Sequence, residues 1–288
     1  MEYIEAKSIL SKLRQGDSFF GISYNMNLYR GCQHACVYCD TRSECYQVGD
    51  ISNIRIKQNA IELLKKELAS KRKKGTIGTG SMNDPYMPLE KENGLTRKAL
   101  EVIAERKFPV HIITKSDLVT RDIDLIKEIS KTYAAVSITI TSADDNLARS
   151  LEPNASSSSA RFKALEILAK NGIYTGITLM PLLPFINDSP ENVGEILKRA
   201  EDSGVSYIIP MFGLTLRKGS RDYLYRFFER KYPNMKEKYE TVFGENYICN
   251  SPNCKELYNL FYERIAKSGI KSKMNFFTPP NERQLSLF

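Results

Sequence analysis

Three closely spaced cysteines are the densest group of chemically reactive side chains in this sequence. Cys32, Cys36 and Cys39 form a C-x3-C-x2-C pattern within the segment NLYRGCQHACVYCDTRS, residues 27–43. Thiolates at this spacing can bind one corner of a single metal centre, but a structural zinc or a fully ligated iron–sulfur cluster usually takes four protein ligands. The pattern therefore predicts an iron–sulfur cluster with one iron left open for another ligand.

A zinc knuckle, a disulfide framework and chance clustering are weaker interpretations of the cysteine loop. A zinc knuckle would need His34 or Cys45 as its fourth ligand, and His34 lies inside the loop at an unusual spacing. A disulfide framework is not expected in a chain of 288 residues whose start does not read as a secretory signal. Chance clustering is disfavoured because half of the chain's six cysteines fall in this one loop.

With Tyr38 directly before its third cysteine, the loop resembles the signature loop of the radical S-adenosylmethionine (SAM) enzymes. The resemblance implies a four-iron, four-sulfur cluster held by Cys32, Cys36 and Cys39, with the amino and carboxylate groups of SAM on the fourth iron. It also implies that one electron, supplied by a donor such as flavodoxin or ferredoxin, cleaves SAM to methionine and a 5′-deoxyadenosyl radical that abstracts a substrate hydrogen. In such enzymes the protein positions the cofactors and excludes water.

The loop belongs to a regular alternation of strand and helix patterns. From residue 18 to residue 211 the alternation repeats every roughly 25–40 residues, which is typical of βα units and a parallel sheet. The predicted strands are 19–29, 76–80, 110–114, 134–141, 173–179 and 205–211. The predicted helices of this region are 56–69, 96–106, 122–131, 161–170 and 189–203. Because a complete barrel needs eight strands, the expected fold is α/β, a partial (β/α)6 TIM-like barrel as in radical SAM enzymes.

The same patterns divide the chain into four parts. Residues 1–17 are a lead-in, 18–212 the radical SAM partial barrel, 213–278 a C-terminal helical extension and 279–288 a flexible tail. Helices are predicted in the extension at 217–231 and 255–267. Its Cys249 and Cys254 are expected to be ordinary cysteines, because an auxiliary cluster would need a further ligand and only Cys45 remains.

Composition predicts a globular protein of the cytoplasm. Hydrophobic residues make up 42% and charged residues 26% of the chain, which is ordinary for a globular domain. No apolar stretch approaches the ~18–20 residues that would span a membrane. Clustered cysteines in a chain of this size indicate a reducing compartment and metal chemistry.

The net charge of +8 is compatible with nucleic acid as a partner but does not require it. The basic run 71–74 before Gly75 is typical of a helix end rather than a nucleic-acid patch.

Segments beyond the cysteine loop narrow the resemblance to the spore photoproduct lyase branch, often labelled DNA repair photolyase. They are TGSMNDPY at 79–86, ITKS at 113–116, AVSITIT at 135–141, and LEP at 151–153 with the later Arg161. The resemblance covers roughly residues 20–210 and includes uncharacterised proteins that bacterial mobile elements carry as paired radical SAM proteins.

This resemblance implies a set of SAM contacts. Tyr38 would pack on the adenine or hydrogen-bond near it. Asn83 and Asp84 would meet the amino-acid end of SAM, where a buried carboxylate suits an ammonium, and Lys115 would meet the SAM carboxylate. Ser137, which points inward on its strand, would bond the ribose. Each has a structural alternative: Asp84 as a turn former, Lys115 as a solvated strand end and Ser137 as a barrel filler.

One position departs from the lyase pattern. In the lyase, a cysteine three residues before the aspartate of this segment returns a hydrogen atom to the product radical, whereas the matching position here is Ser81. A hydroxyl is a poor hydrogen-atom donor, so Cys45 or a tyrosine would have to substitute. The departure argues against the spore lesion itself as the substrate. Glu152 and Arg161 are expected to form a structural pair.

The chain ends in QLSLF, Gln284–Phe288, after two prolines at 279 and 280. This ending resembles the motif with which bacterial replication and repair proteins bind the DNA sliding clamp. Burial of its apolar residues would contribute ~1.5–3 kcal/mol each, which leaves an affinity on the order of micromolar after association costs. The alternative is that the tail docks on the protein's own body.

These observations together predict an oxygen-sensitive radical SAM enzyme that acts on DNA and is recruited by the clamp. Two alternatives remain open. One keeps the chemistry but places it on a peptide, an RNA or a small molecule. The other is a non-catalytic metal-binding adaptor that never cleaves SAM.

Overall fold

The computed structural model describes residues 1–13 and 17–279. The strands of this part of the chain are β1 (Glu2–Ile4), β2 (Leu10–Lys12), β3 (Tyr24–Met26), β4 (Tyr29–Arg30), β5 (Arg55–Lys57), β6 (Ile77–Thr79), β7 (Val110–Thr114), β8 (Ala134–Thr139), β9 (Tyr174–Leu179), β10 (Tyr207–Pro210), β11 (Gly213–Thr215) and β12 (Ile248–Asn250). The helices are α1 (Ala60–Ala69), α2 (Glu90–Asn93), α3 (Leu95–Glu105), α4 (Ile123–Ser130), α5 (Asp145–Leu151), α6 (Ser158–Lys170), α7 (Pro190–Asp202), α8 (Ser220–Lys231), α9 (Met235–Phe243) and α10 (Cys254–Ser268).

A seven-stranded sheet in the order β10-β9-β8-β7-β6-β3-β2 forms the centre of the molecule. The six strands from β3 to β10 in this sheet run parallel, and β2 pairs antiparallel with β3 at one edge. Within residues 1–13 and 17–279 no pairing joins β10 to the opposite edge. The sheet is therefore an open barrel, and the predicted six-stranded partial barrel is confirmed.

Strand β8 shows how the sequence builds this barrel. All six of its residues are buried, as expected for a parallel strand covered on both faces. Val136 and Ile138 pack in the main hydrophobic core with the helices, while the hydroxyls of Ser137 and Thr139 bond to residues of neighbouring strands. The predicted alternation of apolar and hydroxyl residues is thus observed, and it lines the barrel interior with polar groups.

Several sequence-predicted boundaries differ from the structure. The strand predicted at 19–29 is two short strands, β3 and β4, separated by residues 27–28. The lead-in 1–17 carries β1, which pairs with β5, and β2. The extension 213–278 contains the predicted helices but also α9 and the antiparallel pair β11–β12. Strands of two or three residues are too short to produce a readable alternation, which is why they were missed.

Two further expectations concern the C-terminal peptide and membrane-spanning helices. Residues 280–288, with the clamp-like peptide Gln284–Phe288, lie outside the described residues. Across residues 1–13 and 17–279 no helix combines the length and apolar character needed to cross a membrane.

Gly80, directly after β6, is required by the close approach of two strand ends. Its φ is +87°, and a Cβ built there would lie 2.3 Å from the backbone oxygen of Ile113. Gly194, inside α7, is a matched control because a Cβ there would meet nothing within 4 Å. We expect Gly80→Ala to lower the free energy of unfolding by at least about 1 kcal/mol, and Gly194→Ala to raise it by ~0.5–1 kcal/mol. Urea unfolding followed by circular dichroism measures both; a Gly80→Ala protein as stable as the parent would contradict the described strand contact.

Candidate active site

A cavity of about 380 Å³ opens at the carboxyl ends of the parallel strands. Its lining includes residues that follow β6, β7 and β10, together with the cysteine loop that follows β4. The volume falls within the range of small-molecule sites, ~300–1,000 Å³. Cys32, Cys36, Cys39, Tyr38 and Lys115 all contribute to the lining, so the fold brings together side chains that are more than 70 residues apart in sequence.

The cysteine loop is held in place by its backbone. Gly31 has a φ of +90°, and a Cβ there would lie 2.6 Å from the oxygen of Ile51, which accepts a hydrogen bond of 2.8 Å from the Cys32 amide. The amide of Val37 donates to the oxygen of Leu151 at 2.9 Å. These bonds tie the loop to two distant segments and turn its thiols toward the cavity.

The three thiols are free, and Cys32 and Cys36 are buried. Burial raises the pKa of Cys32 to about 12, with a smaller contribution from the Asp84 carboxylate. Burial also raises the pKa of Cys36, although the Lys115 ammonium acts in the opposite direction. A metal centre that binds here must therefore displace protons and supply positive charge to the thiolates.

The chemistry of the donor set bears on the two metal hypotheses. Sulfur ligands of one zinc ion lie roughly 3.8 Å apart, because each Zn–S bond is about 2.3 Å long. In the part of the chain that the structure describes, no three Cys, His, Asp or Glu side chains are arranged to hold a single ion. An iron–sulfur cluster spreads its thiolates over several irons, so three soft sulfur ligands around one cavity fit a cluster better than a zinc ion. Cys45 is exposed, with its sulfur 3.7 Å from Arg217 Nη1, and is not part of the lining.

Asp84 is a buried carboxylate whose two oxygens are already engaged. Oδ1 accepts from Thr114 Oγ1 at 2.6 Å and from the Tyr86 amide at 2.8 Å. Oδ2 accepts from the Lys115 amide at 2.7 Å and lies 3.3 Å from His34 Nδ1. Burial alone would raise the pKa of Asp84, but His34, Thr114 and the Lys115 amide outweigh it and lower the pKa to about 2. Asp84 thus keeps its negative charge in the cavity wall while it fixes the loop, and His34 is a partner that the sequence reasoning did not assign to it.

Asn83 lines the cavity and also forms hydrogen bonds within the protein. Its amide nitrogen donates to the Tyr29 oxygen at 2.8 Å and to Asn27 Oδ1 at 3.2 Å. Because the donor group is committed to these contacts, the amide oxygen is the part of Asn83 available to a ligand.

Lys115 contributes a charged group to the lining. Its Nζ lies 5.8 Å from the centre of the Tyr38 ring, and no hydrogen-bond acceptor or carboxylate among residues 1–13 and 17–279 pairs with it. Burial would lower the pKa of this ammonium, but Cys36, Glu152 and Asp84 outweigh burial and raise it. Lys115 is therefore a cation suited to bind an anionic group of a ligand.

The Tyr38 side chain is hydrogen-bonded to a buried ion pair. Its hydroxyl donates to Glu152 Oε1, and Glu152 Oε2 pairs with Arg161, of which only 1% is exposed. Arg161 also donates to the backbone oxygens of Thr139 and Ser156, at 2.9 and 2.8 Å. The expected Glu152–Arg161 pair is observed, and it links the cysteine loop to the end of β8.

The structure does not bring Ser137 into the cavity. Its hydroxyl is fully buried and lies 2.8 Å from His111 Nε2 and 2.7 Å from the Tyr207 hydroxyl. The inward direction predicted for Ser137 is correct, but the residue lies nearer the start of the strand than the cavity does. Thr139, two residues further along β8, lines the cavity instead and bonds Thr178 at 2.6 Å. The same alternation pattern would have identified Thr139, had the depth of the site along the strand been known.

An open parallel barrel with cysteines at the carboxyl ends of its strands defines a cofactor-dependent (β/α)-barrel enzyme. Residues 26–200 match the family described as the Radical SAM superfamily. An uncharacterised protein of Methanocaldococcus jannaschii is 35% identical over 225 residues, which cover 77% of this chain and 80% of that protein. The radical SAM Nalpha-GlyT isomerase of Pseudomonas phage M6 is 23% identical over 215 residues, which cover 75% of this chain and 44% of the isomerase.

Among solved structures, spore photoproduct lyase complexed with dinucleoside spore photoproduct has a similar fold. The alignment covers 93% of this chain and 80% of that chain, with a TM-score of 0.68 and 16% sequence identity. The family match spans more than half of this chain, and so the protein belongs to the radical SAM superfamily. Membership implies an enzyme that uses SAM and an iron–sulfur cluster.

Arg161→Met tests the buried pair behind Tyr38. The substitution leaves the Glu152 carboxylate buried without its cation, so we expect the free energy of unfolding to fall by about 3–5 kcal/mol. Lys163→Met, on the same helix, is the control, because Lys163 pairs with Glu166 at the surface at 2.8 Å and such pairs contribute ~0–1 kcal/mol. Chemical denaturation of both variants provides the comparison, and equal losses would show that burial of the pair does not matter.

Proposed function

We propose that this radical SAM enzyme acts on DNA, through a four-iron, four-sulfur cluster held by Cys32, Cys36 and Cys39. The observation that carries the cofactor assignment is the cavity itself, which Cys32, Cys36, Cys39 and Lys115 all line. When bound, the cluster would supply the electron that cleaves SAM to a 5′-deoxyadenosyl radical for hydrogen abstraction.

The side chains around the cavity have separate roles in this proposal. Lys115 binds the SAM carboxylate, and Asp84 provides negative charge near the SAM ammonium while His34 keeps it in place. The amide oxygen of Asn83 accepts from the same ammonium. Tyr38 presents its ring to the adenine, and its bond to Glu152 fixes the ring's orientation. Thr139 takes the ribose contact that the sequence assigned to Ser137.

The remaining lining keeps water away from the reacting atoms. Apolar side chains of Phe20, Ile22, Met180, Met211 and Leu214 line the cavity. With water excluded, the electrostatic contacts to the cofactor are stronger than they would be in water.

DNA as the substrate is supported by two independent observations. The fold resembles that of spore photoproduct lyase, whose structure contains a dinucleoside photoproduct, and the chain carries a net charge of +8. Ser81 is exposed at the cavity where the lyase pattern has a cysteine, so the proposed reaction is not repair of the spore lesion. A phage relative is named an isomerase, so one of these relatives carries out a reaction other than that of a lyase.

Two protein partners complete the proposal. A small electron-transfer protein such as flavodoxin or ferredoxin reduces the cluster, and the tail peptide Gln284–Phe288 binds the sliding clamp. The first follows from the need for an external electron, and the second from the five terminal residues alone.

Variants at three positions test the cofactor assignment. After anaerobic reconstitution, Cys36→Ala is expected to lose most of its iron and all SAM cleavage, because a cluster held by two thiolates is weakly bound. Lys115→Met is expected to keep its iron but to bind SAM at least about tenfold more weakly, which corresponds to ~1.4 kcal/mol. Cys45→Ala, with its exposed sulfur outside the cavity, should match the parent protein. Iron analysis, SAM titration and chromatography of 5′-deoxyadenosine measure these quantities; a Cys45→Ala protein without iron would refute the ligand assignment.

The substrate assignment is tested with the reduced, reconstituted enzyme. Incubation with SAM and either native or ultraviolet-irradiated DNA should produce a DNA nucleoside of altered mass or hydrogen content, detected by mass spectrometry after digestion. The control reactions contain RNA of the same sequence or the Cys36→Ala protein. Turnover of SAM with DNA unchanged in every reaction would favour a peptide, RNA or small-molecule substrate.

A further inference from the structure

A second cavity, of about 350 Å³, lies beside the active-site cavity. Its lining includes the end of β1, the start of the cysteine loop at Arg30 and Gly31, and Lys57 at the end of β5. Tyr46 and Met82 line both cavities. The two spaces are therefore neighbours that share part of one wall.

The second cavity is electropositive. Lys7, Arg30 and Lys57 line it, whereas Glu5 is the acidic residue of the lining, and Glu5 bonds Gln58. Throughout residues 1–13 and 17–279, no ion pair joins any of the three cations to a carboxylate. Lys57 Nζ donates to the Asn27 oxygen at 2.7 Å, and Arg30 Nη2 donates to the Gln47 oxygen. These bonds orient the two cations without neutralising them.

A cation that is partly removed from water and has no ion-pair partner is less stable than one in water. Lys57 is half-buried, and burial, together with the neighbouring Arg30 charge, lowers the pKa of its ammonium, although the Glu67 carboxylate acts in the opposite direction. Two cations held near each other in a recess bind an anion more strongly than isolated surface lysines do, because the recess concentrates their field. Arg and Lys at such a site favour phosphate oxygens.

The wall between the cavities connects this site to the reaction. Asn27 lines the second cavity and accepts from Asn83, which lines the first. Tyr46, with 37% of its surface exposed, lines both cavities, and its ring lies 5.5 Å from the Arg217 guanidinium. A basic groove next to an aromatic ring is the combination that proteins use to hold single-stranded nucleic acid.

We infer that the second cavity binds the phosphodiester backbone of a nucleic-acid strand next to the nucleotide that enters the active-site cavity. The inference rests on the proposed DNA substrate, and it adds that the DNA strand passes through the second cavity. Arg30 and Lys57 bind phosphate oxygens, Lys7 contributes at the rim, and Tyr46 stacks on a base at the shared wall.

Salt dependence of binding tests this site directly. The full-length reconstituted protein is titrated with a labelled single-stranded DNA of about 12 nucleotides by fluorescence anisotropy at several salt concentrations. Each lost phosphate contact reduces the slope of log affinity against log salt by ~0.7 for a single strand. The Arg30→Gln/Lys57→Gln protein is therefore expected to lose ~1.4 from this slope and at least tenfold in affinity. The control is Lys73→Gln/Lys74→Gln, which removes the same charge from exposed residues outside both cavities.

The outcomes separate this inference from the proposed function. If the parent binds DNA and the Arg30→Gln/Lys57→Gln protein keeps its slope, the second cavity is not the strand site, although the DNA substrate stands. A loss that follows Lys73→Gln/Lys74→Gln instead also overturns it. If the parent binds no DNA, both proposals fail. Inorganic phosphate that displaces the DNA at constant ionic strength would assign the cavity to a free phosphate.

A second variant is needed in case Arg30→Gln/Lys57→Gln disturbs the neighbouring cysteine loop. Iron content shows whether Arg30→Gln/Lys57→Gln still holds its cluster. If it does not, Lys7→Gln provides the measurement, because Lys7 is exposed and lies on a different segment. Lys7→Gln is expected to reduce the slope by about 0.7, and an unchanged slope would count against the site.

Discussion

The active-site cavity depends on balancing charges that are buried close together. Carboxylates removed from water are stable only when cations or hydrogen-bond donors compensate them. Asp84 is compensated by His34, Thr114 and the Lys115 amide, and Glu152 by Arg161 and Tyr38. Lys115 is left with its ammonium directed at no partner of its own in the described chain, beside three thiols that lose protons when a cluster binds. This distribution of charge supports the proposal that the cavity binds a cofactor carrying both a carboxylate and an ammonium.

These compensating bonds also connect parts of the chain that are distant in sequence. The Glu152–Arg161 pair joins the cysteine loop, through Tyr38, to the carboxyl end of β8 through the Thr139 oxygen. Asp84 joins the loop after β6 to the end of β7. A site built from loops alone would be mobile, whereas here each loop is bonded to the end of a buried strand, so the groups that meet the cofactor are held by the barrel.

The two cavities differ in the kind of ligand that they suit. The first has thiols, apolar side chains and compensated charges, which suits a reaction that must exclude water. The second has uncompensated cations and a shared aromatic ring, which suits a charged polymer that remains partly solvated. Tyr46 and Met82 lie between them, so a strand bound in one would place a nucleotide at the entrance of the other. In our proposal, the first cavity therefore carries out the radical reaction and the second binds the substrate electrostatically.

Local sequence patterns were sufficient to predict the partial barrel. Strands β7, β8 and β9 could be predicted because each is five or six residues long and shows its apolar periodicity, whereas the three-residue β3 and β6 were located by the cysteine loop that follows the first and the glycines that bound the second. The cysteine spacing predicts the cluster ligands, because three thiols within one short loop can reach a single metal centre, and this assignment stays a prediction. Three-residue strands such as β11 and β12 carry no such period, and they escaped prediction.

Only the tertiary structure shows how far along a strand the cavity lies and which distant residues lie close to one another. Ser137 and Thr139 are indistinguishable by pattern, since both point inward on β8, and only the position of the cavity along the strand favours Thr139. Nothing in the spacing of His34 and Asp84 or of Lys7, Arg30 and Lys57 indicates that they meet. Such contacts join segments far apart in the chain, and they arise from the pairing order of the strands, which no local pattern contains.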